Sequence, residues 1–419
     1  MAKTFRPWDV DQAQLFPPSV RDLVPPEHVA HFVRELVRQE LDLSAILDTY
    51  SEERGYPPHH PAMMTALLLY GYSRGVYSSR RLEQACLERV DFMAVTAMNK
   101  PDHSRISEFR RRHLGALQGL FVQVLGLCGK AGLVKLGHVA LDGTKVKANA
   151  SKHAAMSWSR MKKADRDLKR VVDGWLQRAE DEDAEEDAAY GKDKRGDELP
   201  DWVKDKEKRR AKIREAMARL KEEAEGKGES EPPEGAQSNF TDPESRILRT
   251  KGTYEQGYNC QAAVDAGSQV IVAEEVVAQQ NDNDRLLPLV DAVRENTGSK
   301  PREVSADTGY LSEENLEGLE KRRIRGYVAV GKQKHGEAGA TSLEYRTRQP
   351  WTRAMWARLR RAGWRSRYRL RKQVVEPVFG QIKAARGYRQ FLLRGLEKVR
   401  GEWSLLCTAH NVLKLAAAR

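Results

Sequence analysis

The strongest restriction on the fold is a change of rhythm at Gly137. Before it, apolar residues recur at helical spacing; after it they come in strand-length runs set off by Gly, Asp and Asn. His138 to Ser151 reads as a strand that reaches an Asp-Gly turn at Asp142-Gly143 and resumes. Gly257 to Asp265 and Gln269 to Ala278 read as a hairpin across Ala266-Gly267-Ser268, with Asp265 as a turn residue. Asp282 or Asp284 would cap the helix beginning at Arg285. Glu303 to Asp307 is a short strand ending at an aspartate and a glycine, and Ser312 offers an N-cap to the helix after it. Gly326 to Gly331 supplies one more strand, and a helix around Glu376 follows.

The part before Gly137 predicts helices over Glu27–Leu41, Ala62–Tyr72, Leu82–Met98 and Ile106–Leu127, after an irregular arm rich in proline (Pro7, Pro17, Pro18, Pro25, Pro26). A turn-rich break at Gly55 to Pro61 and a turn at Asn99 to Ser104 divide them. The last helix carries Arg110, Arg111 and Arg112, which fit either the DNA-facing helix of a helix-turn-helix or the wet face of a packing helix. His59, His60, His103 and His113 lack metal-ligand spacing and read as surface or capping residues. Cys86, Cys128, Cys260 and Cys407 stand far apart among apolar neighbours and read as buried thiols.

Charge is unevenly placed. The net value is +12, yet the 70 residues from Met161 to Ser230 hold 19 basic and 21 acidic side chains. So polar a segment has little to bury, and it reads as an inserted helical hairpin or arm (157–235), with helical runs at Met161–Arg178 and Asp201–Glu225 around an acidic middle at Asp181–Pro200. From Thr341 to Arg419 there are 19 basic and 4 acidic residues, with Trp351, Trp356, Trp364 and Tyr368 interleaved among arginines. A polyanion is the partner this composition suits. No run approaches the roughly 18 apolar residues of a membrane span, and the charged start Met-Ala-Lys-Thr-Phe-Arg lacks the apolar segment of a signal peptide. The expected location is the cytoplasm, with the nucleoid.

Within that basic region, Tyr368 to Lys383 places one carboxylate, Glu376, among cations. On a helix Lys372, Glu376 and Lys383 share a face, with Arg386 close to it. Such a face suits a metal-binding glutamate beside phosphate-gripping cations, or a solvated helix with its own salt bridges. The order of elements separates the two. Three strands, helix, strand, helix, strand, helix is the order of a ribonuclease-H-like fold, an α/β mixed sheet with helices on both faces. That order sets Asp142 beside Asp307, with Glu376 reaching over from a helix; three carboxylates at one sheet edge repel unless divalent cations lie between them. The expected organisation is an all-α N-terminal domain (1–130), then the α/β catalytic domain (131–419), interrupted by the charged insertion.

Leu141 to Ser151, Asn239 to Ser245, Gly257-Tyr-Asn, Ala306-Asp307-Thr-Gly-Tyr310, Val375-Glu376-Pro-Val-Phe-Gly-Gln-Ile-Lys383, Glu402-Trp and Ala409-His-Asn411 together resemble the DDE transposases of bacterial insertion sequences. The resemblance implies a metal-dependent nuclease and strand-transfer enzyme, with Asp142, Asp307 and Glu376 holding two Mg²⁺ ions, for which Mn²⁺ would substitute. It implies DNA partners, namely terminal inverted repeats and target DNA, and a homodimer on DNA. The helical N-terminal region, with Arg110, Arg111 and Arg112, would help recognise the repeats. Tyr368, Arg371, Lys372, Lys383 and Arg386 would contact DNA. The Tyr, Arg, Glu, Lys signature of related transposases puts three residues between Arg and Glu; here Lys372 holds that position and Arg371 is one residue early. The alternative reading is a catalytically silent DNA-binding protein or repressor derived from a transposase.

Overall fold

The structure, a computed structural model, describes residues 19–50, 58–151, 154–190, 201–226, 228–250, 253–279, 281–331, 349–362 and 367–419. Pro7, Pro17, Pro18, the stretch from Gly55 to Pro57, the end of the acidic middle toward Pro200, and Trp364 lie outside these residues. The chain divides into two compact units, Met1–Leu133 with Leu405–Arg419, and Val134–Ser404.

The first unit is helical: α1 (Val29–Gln39), α2 (Ser44–Leu47), α3 (Pro61–Ser73), α4 (Ser79–Glu88), α5 (Val90–Thr96), α6 (His103–Arg112) and α7 (Leu114–Lys130). Helix α3 is apolar all round and is accordingly buried nearly throughout, against α1 and α5. Pro61 opens it, and the His60 ring accepts the Ala62 N–H. Two expected helices are each broken once. The Leu82–Met98 helix splits at Arg89, whose backbone is extended and whose guanidinium pairs with Asp91 at 2.7 Å. The Ile106–Leu127 helix splits at His113, buried against the Tyr50 and Phe109 rings.

One expected DNA contact is corrected here. Arg110 is buried, donating at 3.1 Å to both Tyr72 Oη and Tyr77 O and at 3.4 Å to Ser79 Oγ, so it ties α6 to the end of α3 and the start of α4. A guanidinium so engaged faces the core of its unit and not a phosphate. Arg112 is exposed but lies over the Tyr50 ring and donates to Thr49 O, while Arg111 points outward.

The second unit is built on a mixed sheet. Its elements are β1 (His138–Lys147), β2 (Ala155–Ser157), α8 (Trp158–Tyr190), α9 (Asp201–Glu225), β3 (Gln237–Asn239), β4 (Arg246–Thr250), β5 (Thr253–Asp265), β6 (Ile271–Val277), α10 (Leu286–Thr297), β7 (Glu303–Ala306), α11 (Glu313–Lys321), β8 (Arg325–Val328), α12 (Pro350–Ala362) and α13 (Leu370–Gly380); α14 (Leu396–Ala416) contributes its first part. β5 pairs antiparallel with β1 along one edge, while β4 and β6 share its other edge. On the far side of β1, β7 and then β8 add in parallel. Helix α10 packs on β5 and β6, α11 on β8, and α13 on β1, β5 and β7. Burial of β5 from Gln256 to Asp265 on both faces is what a central strand requires.

Strand β1 runs unbroken through Asp142-Gly143, so the expected turn there is replaced by a continuous ladder against β5. The charged insertion is a helical hairpin, α8 against α9, but it buries more than its composition suggested. Trp158, Met161, Ile213, Ala216 and Leu220 form a small core of its own, closed by the β2–β3 pair. The matched segment Asn239–Ser245 is a buried anchor: Asn239 Oδ1 accepts two backbone N–H groups, and Asp242 Oδ1 accepts Tyr258 Oη at 2.7 Å. All four cysteines are buried and none is in a disulfide, as expected.

Candidate active site

Register brings the two aspartates together. The parallel pairing of Val139 with Val304 and Ala140 with Ser305, carried two residues on, sets Asp142, in the middle of β1, level with Asp307, just past the end of β7. Asp142 Oδ1 accepts the Gly143 N–H at 2.9 Å, and Asp307 Oδ1 accepts the Gly309 N–H at 2.8 Å. Gly143 lies opposite Gln261 on β5, and a Cβ there would meet Gln261 Nε2 at 2.6 Å and Asn259 Oδ1 at 3.0 Å. Glycine is therefore required by close approach, not by a turn.

Burial raises both carboxyls above their ordinary range. Asp142 is pushed up to about 7, with burial the largest cause, Arg371 opposing it and the neighbouring Asp307 adding to it. Asp307 is raised by burial too, opposed by Arg371 and the Gly309 N–H and assisted by Asp282. Arg371, only 9 % exposed in its side chain, donates to Asp142 Oδ2 at 2.5 Å and reaches Glu376 Oε1 at 3.8 Å. One guanidinium thus spans the first aspartate and the glutamate, whose own side chain is about half exposed (54 %). Lys372, next along α13, faces solvent. Between the two candidates for the arginine position, Arg371 is the one at the carboxylates.

Helix α13 carries a proline next to this glutamate. Pro377, beside Glu376, has no N–H, so the Gln373 carbonyl loses its helical partner and accepts Gln269 Nε2 at 3.1 Å instead. A π-helical turn, Gln381–Ala385, then extends α13. Lys383 consequently folds back onto β1, donating to Thr144 Oγ1 at 3.0 Å and Lys145 O at 2.8 Å. Together with Lys145, Lys147, Arg389 and Glu255 it lines a groove beside β1. Arg386 is half-buried and donates to Gln381 O. Tyr368, expected to stack on DNA, is instead buried under Arg371, whose guanidinium carbon lies 6.0 Å from the ring centroid; it packs within the protein and offers no face to a base.

A further carboxylate enters the site unforeseen. Asp282 does not cap α10, which begins after Arg285 without a side-chain cap. Its Oδ1 accepts Asn259 Nδ2 at 2.6 Å and Gln261 Nε2 at 2.7 Å, and Tyr310 Oη donates to Gln261 Oε1. The signal available in the sequence was the pair Asn259 and Gln261, two amides on one face of a strand apolar enough to be central.

Among the described residues no three His, Cys, Asp or Glu side chains are placed to hold a metal ion together. Hard divalent ions such as Mg²⁺ do not need three: they take one or two carboxylates and complete their shell with water and substrate phosphate. Two neighbouring buried carboxyls, raised chiefly by burial, form a donor set that fits such an ion.

Two family models match the chain, a transposase DDE domain over residues 236–412 and a transposase domain (DUF772) over residues 18–112. Asp307 and Glu376 fall inside the first match, whereas Asp142 precedes it. Searches of curated proteins and of solved structures gave no match. No helix of the described residues is long and apolar enough to cross a membrane.

Proposed function

Since this chain is a DDE transposase of insertion-sequence type, we propose that it cuts DNA at the ends of a mobile element and joins them to target DNA, with Asp142, Asp307 and Glu376 as its metal-binding carboxylates. The observation that carries the reading is the convergence of Asp142 and Asp307 on neighbouring strands, both raised by burial, with Arg371 linking Asp142 to Glu376. Two Mg²⁺ ions, or Mn²⁺ in their place, would supply Lewis-acid stabilisation of the phosphoryl oxygens and activation of the attacking hydroxyl. The chain's own contribution is to hold the carboxylates in register, keep Arg371 at the reacting phosphate and present Lys372, Lys383 and Arg386 to the DNA backbone. Arg111 and Arg112, on the helical unit, would add backbone contacts to the terminal repeats. A homodimer would bring two ends together.

The test is cleavage and joining of a labelled element-end duplex in Mg²⁺, with EDTA as the blank. Both products are expected, and none with EDTA; tight end binding without cleavage would instead favour a silent repressor. The reaction should also be acid-sensitive. Because the Asp142 carboxyl titrates near 7 and a cation takes only its ionised form, the rate at subsaturating Mg²⁺ should fall about tenfold per pH unit below that point. Stability runs the other way: the folded state holds this proton where the unfolded chain, with its carboxyl near 4, has lost it. Asp142 therefore withdraws stability as pH rises from about 4 to 7 in the cation-free protein.

A further inference from the structure

Asp282 is wedged between the two glycines that follow Asp142 and Asp307. A Cβ at Gly143 would stand 3.2 Å from its Oδ1, and a Cβ at Gly309 would stand 3.1 Å from its Oδ2. Its Oδ1 takes both amide donors, Asn259 and Gln261, from β5. Gln261 is itself fixed, since its side-chain carbonyl accepts Tyr310 Oη and its backbone carbonyl accepts Trp403 Nε1 at 3.2 Å. A rigid network therefore directs a carboxylate at the backbone that follows the two aspartates, beside Asp307. Nothing about helix α10 requires it there, because that helix begins without its help.

Counting formal charge explains what the placement accomplishes. Asp142, Asp307 and Glu376 against Arg371 leave two units of negative charge. Adding Asp282 leaves three, more than one divalent ion neutralises and in keeping with the two ions proposed above. We propose that Asp282 is a positioning residue of the metal centre: held by Asn259 and Gln261, it fixes the backbone at Gly143 and Gly309 and adds negative charge that strengthens the binding of divalent cations there. This rests on the centre proposed above.

Asparagine at 282 keeps the shape, the wedge and the acceptor oxygen while removing the charge, so it separates the proposed role from a merely structural one. Mn²⁺ binding to the full chain, read from the loss of the free-ion electron paramagnetic resonance signal without DNA, is expected to weaken about tenfold in Asp282→Asn, at an unchanged melting temperature. Asn259→Ala, which leaves the charge but frees it, should weaken binding by a smaller factor, about threefold. Asp307→Asn is measured alongside. Loss in Asp307→Asn with unchanged affinity in Asp282→Asn and Asn259→Ala overturns the role of Asp282 and leaves the proposed centre standing. Unchanged affinity in Asp307→Asn as well removes the centre itself.

Discussion

Asp142→Asn is expected to reduce strand cleavage by at least about a thousandfold while leaving binding to an element-end duplex intact. The expectation follows from what the carboxylate is asked to supply. Lewis-acid stabilisation of a phosphoryl transition state is worth several kcal/mol, and at 1.36 kcal/mol per decade about 4 kcal/mol is a thousandfold in rate. Asparagine is close to isosteric and retains the oxygen that meets the Gly143 N–H, so the strand and its neighbours should keep their places. Removing a negative charge beside a basic surface does not weaken attraction to DNA. Single-turnover cleavage and gel-shift titration of the same preparations would separate the two effects. A fall in both together would point to a folding defect in place of lost catalysis.

Arg371→Ala is expected to be the most destabilising of the substitutions at this centre. It leaves Asp142 buried, beside Asp307, without its compensating charge, and breaking a buried pair from one side costs roughly 3–5 kcal/mol. For a unit of this size that corresponds to a fall of about 10 °C in melting temperature. Arg371→Lys should recover only part of it, because an ammonium cannot span Asp142 and Glu376 as a planar fork does. Lys372→Ala, one residue away on the exposed side of α13, should change stability by less than about 0.5 kcal/mol and instead lower DNA affinity, with the salt slope reduced by about one. The opposite pattern, a stable Arg371→Ala and an unfolded Lys372→Ala, would return the arginine position to Lys372.

The two positions show what could and could not be read from the residues. Strand order was legible because apolar runs of strand length, punctuated by Gly and Asp, have few ways to pair, and the pairing of β1 with β7 then follows from the parallel crossover. Asp307 at a strand end and Ser312 as a cap came from local chemistry that tertiary contacts did not override. Asp142-Gly143 was read as a turn because the pair is so often one; only the neighbouring strand, with Gln261 facing Gly143, explains the glycine. Helix periodicity puts Lys372 and Glu376 on one face but cannot say which side meets the sheet, so it leaves Arg371 and Lys372 both open. Arg110 and Tyr368 illustrate the same limit: a basic cluster and an aromatic among arginines suit a nucleic-acid surface by composition, yet each is taken up by partners far away in the chain. Asp282 was misassigned because a cap needs only the next residues, whereas its actual partners lie on β5. The insertion core escaped notice because Trp158 and Met161 meet Ile213 and Leu220 only after the hairpin closes.

The central claim, that Asp142 binds the catalytic cation directly, is tested most directly by a change of metal. A thiolate is a poor ligand for Mg²⁺ and an acceptable one for Mn²⁺. Asp142→Cys should therefore be inactive in strand cleavage with Mg²⁺ and regain at least a tenth of its lost rate, on the order of a hundredfold over the Mg²⁺ reaction, when Mn²⁺ replaces it. Equal activity in the two metals, whether both low or both near the unsubstituted protein, would contradict direct coordination by Asp142.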